Sequence, residues 1–219
     1  MKRIFPFFTI IALILPAVAV ELPSSLKTAS DGSMRIGDVA VYVIHIGEKW
    51  AGSMQRSLNP DERSMIGPER VWVSGTFPAA DSSENFTLAE ELLPAGEGVV
   101  NCSWSITAPQ EVVCRALSVS FDIPAGRAES TISIDNVPVS LPGQVRGIGL
   151  YRKNRAAEVV IAPAGGRAIR VTGRFDVSVQ DNRKFAQNSF SVRISPVGMT
   201  GKLREWSLNC RLEVLPQEK

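Results

Sequence analysis

The chain has 219 residues, 44% hydrophobic and 21% charged, with 17 Gly, 14 Pro and 3 Cys. That composition excludes a disordered tail, a collagen-like repeat and a dense disulfide scaffold, and the length suits one domain or two small ones. With 24 Lys and Arg against 22 Asp and Glu, there is no electrostatic reason to expect a nucleic-acid partner.

Lys2 and Arg3 precede an uncharged stretch from Ile4 to Leu15, broken only by Pro6 and Thr9; Pro16 and the small-residue triplet Ala17-Val18-Ala19 follow. This is the pattern of a secretory signal peptide, with cleavage expected after Ala19. Its apolar run is shorter than the ~20 residues a bilayer core requires, and no later run is longer, so no stable membrane insertion is expected after cleavage. The export reading places the protein in the periplasm, outside the cell or on its surface. Val20 follows the cut, so no cysteine stands there for lipidation. Removing Lys2 and Arg3 takes the net charge from +2 to zero. Residues 20–32 read as a lead segment and residues 33–219 as a single domain.

From Ile36 onward, runs rich in Val, Ile, Phe and Ser alternate with Gly, Pro, Asn and Asp clusters at the spacing of an all-β protein. The expectation is a large antiparallel β-sandwich of about a dozen strands with at most one short helix. Val39 to Ile46 is apolar on both faces and reads as a central strand covered on both sides. His45, the one histidine, lies within it, and a buried, hydrogen-bonded structural role fits better than a catalytic triad or a zinc site. Ala51 to Pro68 has no periodicity and reads as a long loop. Strands are then expected at Val71–Phe77, Val99–Ile106, Val112–Ile123, Thr131–Ile134, Val137–Leu141 and Ile148–Arg152. Glu158–Ala162, Ala168–Thr172, Phe175–Gln180, Ser189–Ser195 and Glu205–Val214 complete the set.

Thr87-Leu88-Ala89-Glu90 fits a helix capping box, so Leu88 to Leu93 is readable as a helical turn or as a strand imposed by tertiary pairing. Near the C-terminus, Phe175, Val177 and Val179 alternate with polar residues, as do Phe190, Val192 and Ile194. Pairing Val179 with Phe190 would set Asp176 opposite Arg193 as a cross-strand ion pair.

Three cysteines leave at least one unpaired. The apolar faces match if Cys102 lies against Arg115, with Cys114 outside, while Cys102 and Cys210 are both directed to the core. Three free thiols, a Cys102–Cys114 bridge and a Cys102–Cys210 bridge all stay open. No GxSxG, HExxH, CxxC, phosphate-loop or EF-hand pattern is present, and Gly165-Gly166 precedes a strand and reads as a turn. No metal, cofactor or catalytic residue is therefore expected. Glu90-Glu91 and Asp61-Glu62 are the carboxylate pairs available to a glycoside hydrolase, which needs only two acids. Asn85-Phe86-Thr87 and Asn101-Cys102-Ser103 match glycosylation acceptors.

Tryptophans mark the candidate binding surface. Trp104 and Trp206 fall on apolar faces and read as core. Trp72 alternates with Arg70 and Ser74 on a polar face, where an indole can stack on a sugar ring while Arg70 or a carboxylate bonds its hydroxyls. Trp50, at a strand end, is a second candidate of the same kind.

Two stretches, Arg127 to Pro142 and Gly165 to Ile194, carry a strand ending in Asp135-Asn136, the segment Val137 to Pro142, the corner Gln180-Asp181-Asn182-Arg183 and the strand Phe190-Ser191-Val192-Arg193. Together they resemble a supersandwich-like β-sandwich module found ahead of the catalytic domain in some secreted bacterial glycoside hydrolases. The resemblance implies a non-catalytic sandwich in a carbohydrate-processing setting, with glycan or a cell-surface protein as partner. In the corner itself, Asp181 or Asn182 is expected to cap a turn, with Arg183 as a charge partner. A small hydrolase with an unrecognised carboxylate pair and a structural cell-envelope protein are the alternatives.

Overall fold

A computed structural model describes residues 20–126, 130–145, 147–199 and 201–217. The expected signal peptide and Arg127 lie outside them. Over these residues the fold is all-β and antiparallel: sixteen strands form one connected sheet that curls into a half-barrel around its core. Among the described residues no helix is long and apolar enough to cross a membrane.

The first strands are β1 (Leu26–Thr28), β2 (Met34–Ile36), β3 (Val39–Ile46), β4 (Gly52–Met54), β5 (Asn59–Pro60), β6 (Met65–Ile66), β7 (Val71–Pro78) and β8 (Asn85–Gly96). They are followed by β9 (Val99–Cys114), β10 (Ala116–Pro124), β11 (Thr131–Ile134), β12 (Val137–Val139), β13 (Gly149–Ala162), β14 (Ile169–Asp181), β15 (Ser189–Ser195) and β16 (Gly201–Val214). Among the described residues, two single 3-10 turns, Gln55–Ser57 and Asn182–Phe185, are the helical segments. The strands outnumber the expected dozen because β1, β2, β4, β5 and β6 are two or three residues long, too short to show a period of two. Ala51 to Pro68 is consequently not one loop but a run of short edge strands. Elsewhere strands merge. Ile148–Arg152 and Glu158–Ala162 belong to the single strand β13, bulged where Arg155 takes a positive φ of 56°.

The path through the sheet is β1-β2-β3-β10-β15-β14-β16-β9-β8-β7-β5, with β13 on the other edge of β14. The run expected as one strand, Val112–Ile123, is divided at Arg115: β9 pairs with β8 and β16, whereas β10 pairs with β3 and β15. Cys102 therefore does not face Arg115, because β9 and β10 form no hairpin. One hydrophobic cluster spans both arms of the sheet, from Leu26 to Val214, with Trp104, Phe77, Phe86, Phe121 and Phe175 among its fully buried side chains. On the opposite face of β3, Ala40, Tyr42 and Ile44 form a small second cluster, covered by Ile46 and Met54. This is the two-faced burial that the apolar run predicts.

Leu88 to Leu93 is strand, not helix: β8 is paired over its length with β7 and β9, and that ladder overrides the local helical preference. The β14–β15 register is offset by two from the expected one. Val179 faces Val192, and Asp176 faces Ser195 instead of Arg193. A slip of two keeps every side chain on its own face, so the core residues are unchanged. Asp176 instead accepts backbone N–H groups from Arg155 and Gly198 at 2.8 and 2.9 Å.

The Gln180 to Arg183 corner closes the β14–β15 connection. Asp181 is fully buried and caps the 3-10 turn through the Arg183 N–H, while the Arg183 guanidinium donates to both Asp181 oxygens at 2.8 and 2.7 Å. The same guanidinium donates to the carbonyls of Pro142 and Gly143 at 2.7 and 2.9 Å and lies over the Phe190 ring. Asn182 is buried between Ser189 and Ser191, and Gln180 faces Ser191 across the ladder. Breaking a buried ion pair by deleting one partner strands the other charge. Arg183→Met is expected to lower the urea midpoint of unfolding, with Asp181→Asn in the same chain recovering part of the loss. An unchanged midpoint would contradict the ion-pair description.

Candidate functional site

Strand parity sorts the four strands β7, β8, β9 and β16 into a core face and a solvent face. Val71, Val73 and Phe77 point inward from β7, as do Phe86, Leu88 and Leu92 from β8. Trp72 takes the other face and is half-buried there. The ladder registers place Met65, Trp72, Glu91, Ser103 and Asn209 in one row across β6, β7, β8, β9 and β16. Arg70 is exposed and forms an ion pair with Glu91. Leu93, two residues beyond Glu91 on the same face, and Met65 are among the exposed large hydrophobic side chains. The next rows along are small and polar: Ala89, Ser105 and Ser207, then Thr76, Thr87, Thr107 and Glu205. A shallow hollow of about 330 Å³, lined by Thr87, Thr107, Ala108, Pro109, Arg204 and Glu205, ends the face. It lies four residues along β8 from Glu91, about 13 Å.

Trp50 is not part of this surface. It sits on the β3–β4 turn with φ at 70° and is 72% exposed, with the Arg115 guanidinium 4.9 Å from its ring centroid. The turn is tied to Asp81, which accepts the N–H groups of Lys49 and Ala51. Asp81 lies past the end of β7, whereas Trp72 is its second residue, so the length of the strand separates the two indoles. The structure brings Trp72 and Arg70 together and leaves Trp50 at the other end.

The carboxylate pairs do not converge. Glu90 and Glu91 are successive residues of a strand and point to opposite faces. Asp61 accepts a hydrogen bond from the Ser74 hydroxyl, which fixes the loop over the β7 edge, and Glu62 is exposed. Glu90 is instead a core residue. Its Oε2 accepts from Gln55 Nε2 at 2.5 Å, Trp104 is a second hydrogen-bonding neighbour, and its Oε1 has no partner among the described residues. Gln55 also donates to the Asp31 carbonyl and accepts from the Val43 N–H. Gly32, with φ at 82°, lets the backbone pass this network: a Cβ there would sit 2.6 Å from both Gln55 Nε2 and Glu90 Oε2. Burial pushes the Glu90 carboxyl up to about 8, against the smaller opposing effect of its hydrogen bonds. Glu90 is thus protonated at neutral pH and fits the interior as a neutral acid.

His45 is fully buried and uses both ring nitrogens. Nδ1 accepts the Ala80 N–H at 3.0 Å, which leaves Nε2 to donate to the Val113 carbonyl at 3.2 Å, and the ring meets Phe86 edge-on. Desolvation lowers its pKa despite the Val113 carbonyl and the charge of Asp81. Its neutral tautomer is therefore spent on structure. Among the described residues no three His, Cys, Asp or Glu side chains gather as a metal ion would need.

The row partners Glu91, Ser103 and Asn209 were not readable from sequence, since they depend on registers between strands up to a hundred residues apart. Glu90 did carry a signal: it interrupts the inward series Phe86, Leu88, Leu92, visible once the segment is taken as a strand. No protein-family model matches the chain, and no curated protein matches it.

Two of the buried titratable groups, His45 and Glu90, act oppositely on stability. His45 binds its proton less readily folded than unfolded, so its contribution is present above the unfolded value near 6.5 and is lost as pH falls below it. Glu90 binds its proton more readily folded, so stability is lost as pH rises from the ordinary value of 4.5 to about 8. Glu90→Gln should leave the acid limb of the Tm against pH curve in place and raise Tm at pH 9 by about 5 °C. An alkaline limb identical in wild type and variant would show that Glu90 does not carry it.

Proposed function

We propose that the protein is an exported, non-catalytic β-sandwich that binds carbohydrate on the solvent face of β16, β9, β8 and β7, in a glycan-processing setting. The observation that carries this reading is the Trp72 row. A half-buried indole stands opposite Glu91, the ion-pair partner of Arg70, with Ser103 and Asn209 in line with it across the sheet. The apolar face of a pyranose packs against an indole plane, and its hydroxyls require donors and acceptors at the rim. Trp72, Met65 and Leu93 supply the first, and Arg70, Glu91, Ser103 and Asn209 the second. The Ser and Thr rows continue the surface toward the hollow at Thr87, room for an extended oligosaccharide. Because every element of the face is a paired strand, it is preformed, and little conformational entropy is lost on binding. The resemblance of the Gln180 to Arg183 corner and its flanking strands to modules that precede glycoside hydrolase domains supports the same setting.

A glycan array probed with wild type and Trp72→Ala tests this. Wild type is expected to bind a related subset of glycans, and Trp72→Ala to lose at least about tenfold in affinity, the scale of one aromatic contact. Absence of binding by wild type, or binding untouched by the substitution, would remove the site and favour the structural cell-envelope reading. Release of reducing sugar from a polysaccharide panel, abolished by Glu91→Gln, would instead make the face catalytic.

A further inference from the structure

Cys102 on β9 and Cys210 on β16 are Cα partners in the antiparallel ladder, and both side chains are buried on the core face. Directly opposed residues in such a ladder have Cα atoms ~4.5 or ~5.5 Å apart. Both spacings lie within the ~4.4–6.8 Å that a disulfide spans. The Cys102 thiol lies 3.8 Å from the Val100 carbonyl, its weak acceptor, and the neighbouring Cys210 thiol together with burial holds its proton on. Cys114 is set apart from this pair. It ends β9, opposite Gly201, and stands twelve residues from Cys102 along the same strand, about 40 Å of extended chain. Burial pushes its thiol up to about 12, away from the reactive thiolate.

All three cysteines are free thiols in the structure. We propose that Cys102 and Cys210 form a structural disulfide when the chain folds in an oxidising environment, with Cys114 remaining a free buried thiol. The oxidant is a disulfide, of a small thiol or of a dithiol oxidase. One Cys thiolate attacks a sulfur of the oxidant and expels a thiolate. The other Cys thiolate then attacks the mixed disulfide and expels the second. One S–S bond forms in the protein and one breaks in the oxidant, and both electrons and both protons leave on the two thiols released. Because the finished sheet covers both sulfurs, the bridge closes while β16 docks.

Its position gives the bridge a purpose. β16 is the last of the described strands yet lies inside the sheet between β14 and β9, so its place depends on pairing with residues about a hundred positions away. That separation makes the loop-closure constraint supplied by a cross-link large. The bridge also fixes Asn209 and Ser103, the residues next to the pair, in the Trp72 row. The pairing does not depend on the export reading of residues 1–19, which supplies only the compartment.

The test is to reduce and denature the full chain, refold it in reduced and oxidised glutathione, alkylate it, and map the cysteines by peptide mass spectrometry. The expected product has one bridge, Cys102 to Cys210, and an alkyl group on Cys114 once unfolded. Cys114→Ser should give the same bridge, and reduction should lower Tm by on the order of 10 °C. A folded product with three alkylatable thiols, a glutathione adduct in place of the bridge, or any bridge containing Cys114 would overturn the assignment.

Discussion

Strand β14 offers one edge to β13 along nearly its whole length and divides the other between two strands. Ile169–Gly173 pairs with β16, and Asp176–Asp181 pairs with β15. Two partners cannot continue in one plane from successive halves of a single edge, so the sheet forks there and its arms diverge. The fork is built from small and polar groups. A Cβ at Gly173 would meet the Asn209 carbonyl and the Phe175 ring at 3.2 Å, so a side chain there would have to push these neighbours apart by a few tenths of an ångström. Three residues on, Asp176 ties the β13 bulge at Arg155 to the β15–β16 turn at Gly198. At the opposite side the chain crosses between the arms at Arg115, whose N–H donates to the Ile46 carbonyl. With both crossings fixed, the arms enclose a single core.

That enclosure decides what the interior and exterior can do. Away from the Asp181–Arg183 ion pair, the interior holds His45 and the Glu90–Gln55 pair as neutral groups tied by hydrogen bonds. Both spend their hydrogen-bonding capacity on joining the arms: His45 on β3 reaches Ala80 and Phe86, and Gln55 reaches Glu90 on β8. The candidate site lies on the outer face of the arm from β16 to β7, where Trp72 shares its row with Glu91, Ser103 and Asn209. The candidate site needs no moving part, because it is the back of the wall that the core holds rigid.

The long strands were legible because their inner faces are unbroken apolar series: β3, β7, β15 and the C-terminal half of β16 all show it. Local signals failed where a tertiary ladder overruled them, as in β8, whose capping-box pattern is a real helical preference defeated by pairing on both edges. They failed also at the fork, where Ala168–Thr172 and Phe175–Gln180 look like two strands because Gly173 and Arg174 interrupt the apolar alternation of β14. The Asp176–Arg193 pairing was a plausible charge match, but the offset of two preserves the same faces, so hydrophobic pattern alone could not choose between the registers. Of the candidate site, Trp72 and Arg70 were legible through strand parity, on the face opposite Val71, Val73 and Phe77, while Glu91, Ser103 and Asn209 became neighbours only through the sheet.

The central claim is that the fork at β14 makes the two arms one cooperative unit. Native-state hydrogen exchange followed across a denaturant series measures this directly. The account predicts that the amides of β14, β16 and β10 exchange only through global unfolding, with one common free energy in both arms, while those of β1, β5 and β6 open locally. Two separate free energies, one for β3-β10-β15 and another for β16-β9-β8-β7, would contradict it.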